Sequence, residues 1–235
     1  MPYSPPCLDA DSPFANLDAQ GLNLHAVFNL ADLPADILSA LPATTGVWRQ
    51  LILVGNVGGT LWRQMGLTGM DSTDPIDRFT RTQLTAWLGH HCPSGRFHFI
   101  YPGPTALGLQ RLGTLAGWHH PSLFMVGIDS QWGSWFAYRA VVLADTDLAP
   151  TPRRIGASPC DLCTTRACVG ACPAGALTDG FNLKACMAYR RSPGSVCQDK
   201  CVARNTCPVG ADHRYSDAQI SYHYGQSMAI IQSIR

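Results

Sequence analysis

Eight of the ten cysteines in this chain fall between residues 160 and 207. They form two runs, Cys160-x2-Cys163-x4-Cys168-x3-Cys172-Pro173 and Cys186-x10-Cys197-x3-Cys201-x5-Cys207-Pro208, leaving Cys7 and Cys92 isolated. The first ten residues show no positively charged start followed by an apolar stretch, so nothing there directs export. In a reducing, cytoplasmic setting such crowding of thiols reads as metal ligation before disulfides. No stretch reaches the roughly 18 to 20 apolar residues of a membrane span, so no membrane partner is expected. Cys7 and Cys92 are expected to be buried, inert thiols.

The spacing says more. When three cysteines lie close together in one loop, their sulfurs can converge on three irons of a cubane, and a fourth cysteine standing before a proline ligates the neighbouring cluster. Both runs end in Cys-Pro. The crossed arrangement assigns Cys160, Cys163, Cys168 and Cys207 to one [4Fe-4S] cluster and Cys172, Cys186, Cys197 and Cys201 to a second. Two structural Zn(Cys)4 sites or four disulfides are the alternatives. Zinc ribbons usually pair two Cys-x2-Cys knuckles, however, and only Cys160/Cys163 has that form. The gaps between Cys163 and Cys168 and after Cys197 and Cys201 depart from the commonest cluster spacing, so the number of ligands is firmer than their partition.

Composition excludes several other chemistries. All sixteen acidic residues are aspartate, and the only lysines are Lys184 and Lys200. A phosphate-binding Gly-Lys-Ser/Thr, a zinc-protease helix and a calcium loop with its glutamate cannot be written with this alphabet. A formal net charge of +1 argues against a nucleic-acid groove as the main surface.

The cysteines also divide the 235-residue chain. Residues 1–156 alternate apolar runs of strand length with helical patterns, the signature of α/β layering. Five strands are expected, at 24–30, 51–57, 97–101, 123–128 and 135–143. Ser72-Thr73-Asp74-Pro75 marks a helix start, and the helix should run to about Gly89. Further helices are expected at 34–41 and 104–117. Gly58-Gly59 opens no dinucleotide fingerprint. Residues 157–214 are too poor in apolar runs to build a core, so what the cysteines bind must organise them. Residues 215–235 read as a C-terminal helix.

Several stretches resemble known families. Ala116-Gly117-Trp118, Gly133-Ser134-Trp135-Phe136, the strand through Asp145 and Leu183-Lys184-Ala185-Cys186-Met187-Ala188-Tyr189 resemble epoxyqueuosine reductase and, more distantly, the reductive dehalogenases. Those are cobalamin-dependent iron-sulfur enzymes. Thr73-Asp74-Pro75-Ile76-Asp77 and the strand from Gly133 to Leu143 also resemble the CblC-type cobalamin-processing proteins. The resemblance implies an α+β protein: a nitroreductase-like α/β domain followed by a bis-[4Fe-4S] ferredoxin-like domain.

It further implies a corrinoid pocket with Trp118, Gly133, Ser134, Trp135, Phe136 and Arg139 as contacts. In that pocket Ser134 and Arg139 would meet the cofactor's polar periphery. Taken without the resemblance, Trp132, Trp135, Phe136 and Tyr138 read as core or sheet-face aromatics. His119-His120 and His90-His91 could ligate cobalt in principle, but solvated or helix-end roles come first. A flavin (FMN) in the same pocket is a further alternative.

Where the reductases carry Asp-x-x-Pro, with the aspartate as proton donor, this chain reads Tyr101-Pro102-Gly103-Pro104. Tyr101 takes the acid's place, although an unshifted phenol near pKa 10 is a poor acid at neutral pH. Only 27 residues follow Pro208, without the helical-repeat extension of tRNA-acting members, so a tRNA substrate is not expected. The expected function is transfer of electrons from two clusters to the cobalt of bound cobalamin, with loss of its upper ligand. The alternatives are a cobalamin-dependent reductase of a small substrate using Tyr101, and an electron-transfer protein with a non-corrinoid docking domain. Nine basic residues against four acidic ones over 151–214 suggest an acidic donor such as a ferredoxin or flavodoxin.

Overall fold

The computed structural model describes residues 12–43, 48–69 and 72–233; Cys7 lies outside them. The chain divides into two compact units, one of residues up to Ala116 with Phe136–Arg153, the other of Gly117–Trp135 with Arg154 onward.

The first unit is built on four antiparallel strands: β1 (Leu24–Asn29), β2 (Gln50–Val57), β3 (Phe97–Tyr101) and β4 (Phe136–Ala144), in the order β1-β2-β4-β3. Leu51 to Val54 is an uninterrupted apolar run, and β2 is buried at every residue, as a strand paired on both edges and covered on both faces must be. Around the sheet lie α1 (Ala15–Ala19), α2 (Ala35–Leu38), α3 (Thr60–Thr68), α4 (Pro75–His91) and α5 (Leu109–Ala116). On α4, Phe79, Leu84, Trp87 and Leu88 recur at helical spacing and are buried together with Ile52, Val54, Ala140 and Val142 of the sheet.

The fold is therefore α+β with a purely antiparallel sheet, and four of the five expected strands form. The exception is 123–128. That stretch turns rather than extends, Met125 takes a positive φ of 64°, and only Ile128 makes a bridge, to His120. Its apolar residues Phe124 and Ile128 instead enter a small core with Leu177 and Ala203. The helix at 104–117 forms only from Leu109, and that at 34–41 only over Ala35–Leu38. Helix α4 runs past Gly89 to His91, with Pro75 in its first turn; Asp74 occupies the N-cap, but its side chain makes no capping bond. Cys92 ends α4 as a buried thiol whose Sγ donates to the Arg96 carbonyl at 3.1 Å.

The second unit contains α6 (Ala167–Gly170), α7 (Leu183–Arg191), α8 (Val202–Thr206) and α9 (Asp217–Ser233). Among the described residues it has isolated bridges but no strand. No described helix is long and apolar enough to cross a membrane.

Two predictions follow from the first unit. Leu53 is fully buried at the centre of β2. Leu53→Ala should destabilise the protein by about 2–5 kcal/mol in denaturant unfolding, whereas Leu67→Ala on the exposed side of α3 should stay within about 0.5 kcal/mol.

The second concerns His25, which burial pushes down to about 4, and Asp18, which burial pushes up to about 6. Nε2 of His25 lies 3.5 Å from the Asp18 carboxylate. Between pH 6.5 and 4 the unfolded chain takes up a proton at His25 and stability falls. Between pH 6 and 3.8 the folded chain takes one up at Asp18 and stability rises. The two largely offset. Asp18→Asn should expose the His25 loss as a steeper fall in melting temperature from pH 6.5 to 4, and an unchanged slope would refute the pairing.

Candidate cysteine centres and the polar sites around them

Cys160, Cys163, Cys168 and Cys207 line one narrow cavity of about 20 Å³. Cys172, Cys186, Cys197 and Cys201 line another of about 390 Å³, walled by Phe124, Leu177, Phe181 and Ile231. The fourth cysteine of each set thus comes from the other run. The turn of α6 carries Cys168, α7 carries Cys186, and Cys201 caps α8, where its sulfur accepts the Arg204 N–H at 3.4 Å. All eight thiols are free.

Their chemistry bears the mark of crowding. Burial, followed by the neighbouring thiols of its own set, pushes Cys160 and Cys168 up, and the same holds for Cys186. Burial also raises Cys201, against hydrogen bonds from the Arg204 backbone and the Tyr224 side chain. Cys163 goes the other way, held down by the Arg166 amide and the Thr165 hydroxyl. Four soft sulfurs around one cavity suit a group that takes four thiolates. Among the described residues, no three such side chains converge on a point that a single metal ion could occupy.

Trp118, Gly133, Ser134 and Trp135 lie in the second unit and Phe136 and Arg139 in the first, the division falling between residues 135 and 136. Gly133 closes a tight loop with Asp129, the two exchanging backbone hydrogen bonds of 2.9 and 3.0 Å. Asp129 also accepts the amides of Gln131 and Trp132 and the Arg154 guanidinium, which lies 4.2 Å over Trp132. Gly133 has φ +60°, and a Cβ there would run into the Val209 carbonyl; Gly210, at φ +67°, meets Trp132 in the same way. Ser134 is buried and takes two hydrogen bonds from Arg204, and Trp135 is fully buried edge-on to Tyr215. Trp118 is buried as well.

In the first unit Arg139 is buried and donates to Asn56 at 2.6 Å. Its charge acts on Asp77 and on Tyr101. Burial raises the Asp77 carboxyl against that pull. Burial and the Asp77 charge raise the Tyr101 phenol still further above its ordinary value, and burial raises Tyr138. His91 stacks on Trp87 at 4.6 Å, and burial lowers His119.

Sequence reading missed Asn56, Arg190, Arg204 and Tyr224, and took Asp77 only as part of a motif. A signal for the two arginines existed: Arg190 follows Cys186 by four residues and Arg204 follows Cys201 by three, one helical turn in each case.

No family model matches the chain, and no curated protein does. Solved structures do. An epoxyqueuosine reductase in complex with an epoxyqueuosine-modified tRNA-Tyr stem loop superposes with a TM-score of 0.53 at 13% identity, covering 89% of this chain and 67% of that one. The Bacillus subtilis epoxyqueuosine reductase gives 0.53 at 12% identity, over 87% and 66%. The chain thus spans about two thirds of those reductases' length. The C. elegans B12-trafficking protein CblC aligns over 95% of both chains at 12% identity, with a TM-score of 0.49. At these identities the likeness to the reductases is one of fold, and it meets the resemblance read from the sequence at that level.

Gly133→Ala should destabilise the second unit by roughly 1–3 kcal/mol from the backbone conformation alone, and by more through the collision with Val209. Thermal unfolding followed by tryptophan fluorescence measures this; wild-type stability would show that the loop has another conformation.

Proposed function

We propose that the chain is an iron-sulfur oxidoreductase whose substrate is cobalamin. Reducing equivalents carried on two [4Fe-4S] clusters reach the cobalt, which passes to a lower oxidation state and loses its upper ligand. The observation that carries this reading is the gathering of the eight cysteines into two crossed sets of four, each around its own cavity. The fold shared with epoxyqueuosine reductases supports it.

On this reading residues 157–214 are a two-cluster ferredoxin-type domain, residues 1–156 a nitroreductase-like domain that takes the corrinoid, and residues 215–235 a terminal helix. When bound, each cluster supplies one electron at a time. The protein's part is to fix the thiolates, exclude water from the inner sulfurs and orient the substrate. Phe136 and Arg139 on β4 are the proposed corrin contacts of the first unit, whereas Trp118, Gly133, Ser134 and Trp135 belong to the second unit and are taken up by its own packing. Arg139 is already held by Asn56, so it would offer charge and its remaining N–H groups rather than a free fork. Having the electron supply on the same chain removes the need for a separate encounter before each transfer. The thiols suit a reducing cytoplasm, with an acidic ferredoxin or flavodoxin as donor to a basic segment.

The alternative in which Tyr101 gives a proton to a small substrate is disfavoured by the upward shift of that phenol, which makes it a weaker acid at neutral pH. No nucleic-acid partner is proposed, although one fold neighbour was solved on a tRNA stem loop, so the same stem loop belongs in the binding test.

Reconstituted protein should carry about eight iron and eight sulfide per chain, and Cys168→Ser and Cys186→Ser should each keep about half. Added cyanocobalamin should bind and pass to Co(II) when the protein is reduced by dithionite, read by ultraviolet-visible and EPR spectra. Full iron with unchanged cobalamin spectra would sink the cobalamin half and leave an electron-transfer module. A tight complex with the stem loop would restore nucleic acid as a partner.

A further inference from the structure

Arg190 lines the cavity of Cys172, Cys186, Cys197 and Cys201, and the backbone N–H of Arg204 reaches the Cys201 sulfur at 3.4 Å; the second unit buries both arginines. Arg190 is 8% exposed, and its guanidinium donates to the Cys197 carbonyl at 3.0 Å, the Tyr224 carbonyl at 3.2 Å and Ser227 Oγ at 2.9 Å. Arg204 is 7% exposed and donates to Ser134 Oγ at 3.1 Å and the Ser134 carbonyl at 2.6 Å, with its guanidinium 4.4 Å over Trp135. Among the described residues neither has a carboxylate partner. Two buried guanidiniums held only by neutral acceptors are costly unless an anion stands nearby. A cubane with four thiolates is such an anion. Tyr224 lines the same cavity as Arg190, Cys186 and Cys201, and its hydroxyl lowers the Cys201 thiol as the Arg190 charge lowers that of Cys186.

The other set is differently placed. Its cavity is lined by the exposed Arg166, and Cys163 is hydrogen-bonded by Thr165 at the surface.

We propose that the two clusters are unequal, and that Arg190, Arg204 and Tyr224 hold the cluster of Cys172, Cys186, Cys197 and Cys201 at the higher potential, so that an arriving electron settles there first. The proposal rests on the reading in which both sets carry clusters. Reduction adds one electron and one negative charge without making or breaking a bond. Buried cations and hydrogen bonds to sulfur favour the more negative state. Cys168 and Cys207 of the other set are buried as well, so the two sets differ less in the burial of their sulfurs than in the cations beside them. Water screens the charge of Arg166, whereas the buried pair acts almost unscreened.

The test is an EPR-monitored redox titration of reconstituted full-length protein, with iron and sulfide assayed on each sample. Two waves are expected. Cys186→Ser should remove the upper wave and Cys168→Ser the lower. Tyr224→Phe, which keeps the ring and loses only the hydroxyl, should move the upper wave to lower potential and leave the other in place. Arg190→Gln should move it further, provided the variant retains its iron; if it does not, Tyr224→Phe alone decides. One merged wave, loss of the lower wave in Cys186→Ser, or an upper wave unmoved in Tyr224→Phe would each overturn the inequality while leaving the clusters in place. A wild-type sample without iron and sulfide would overturn the reading beneath it instead.

Discussion

One core of the second unit is interleaved with thiols. Cys168 and Cys207 are buried with Phe124, Ile128, Leu177 and Ala203, and Cys160, Cys172 and Cys201 pack against them. A thiol is a small hydrophobe when protonated and a charged ligand when not, so this core can be stable in two different ways. Protonated, eight sulfurs bury little apolar area, and α6, α7 and α8, with four, nine and five residues, are too short to stand alone. Ligated, the same sulfurs tie together loops that are far apart in sequence, and binding free energy becomes folding free energy. The crossed sets matter here, because Cys172 and Cys207 each tie one run to the other.

The buried arginines make sense in that setting and in few others. A guanidinium among neutral hydrogen-bond acceptors and aromatic faces, as Arg204 is with Ser134, Trp135 and Tyr215, is satisfied in geometry but not in charge. The first unit buries one such arginine too, Arg139 against Asn56, and pairs its outer ions. Asp145 is met by Arg49 and Arg96, and Asp36 by Arg111, all at the surface.

Much of the sheet was legible because its signal is local. A run such as Leu51 to Val54, or Ala140 to Leu143, can bury itself only as a central strand, and Pro75 after Asp74 fixes where α4 begins. Residues 123–128 carry a similar apolar pattern, yet they join a core whose other members lie beyond residue 160, and no window of sequence contains that information. That Gly117–Trp135 belongs with the cysteine-rich unit is hidden for the same reason. The cysteines were legible as a group, and their meeting in crossed sets shows in the sequence only through the two Cys-Pro pairs. Gly133 to Trp135 stood out as a motif, but the structure shows those residues fully engaged in a loop around Asp129 and a seat for Arg204.

Supplying electrons and supplying protons are separate demands, and the described side chains meet them unequally. The thiols are placed to the level of individual loops, whereas Tyr101, read from the sequence as standing where the reductases carry an acid, is a phenol that burial and the Asp77 charge make less willing to donate. Asp77 is shifted toward the protonated form by the same burial, but Arg139 opposes the shift. A reaction at carbon would need one of these groups to deliver a proton at neutral pH. Reduction of a metal centre with loss of a ligand needs none from the protein, since the departing ligand can take its proton from water. The chemistry that asks least of Tyr101 and most of the cysteines is the one this arrangement of residues favours.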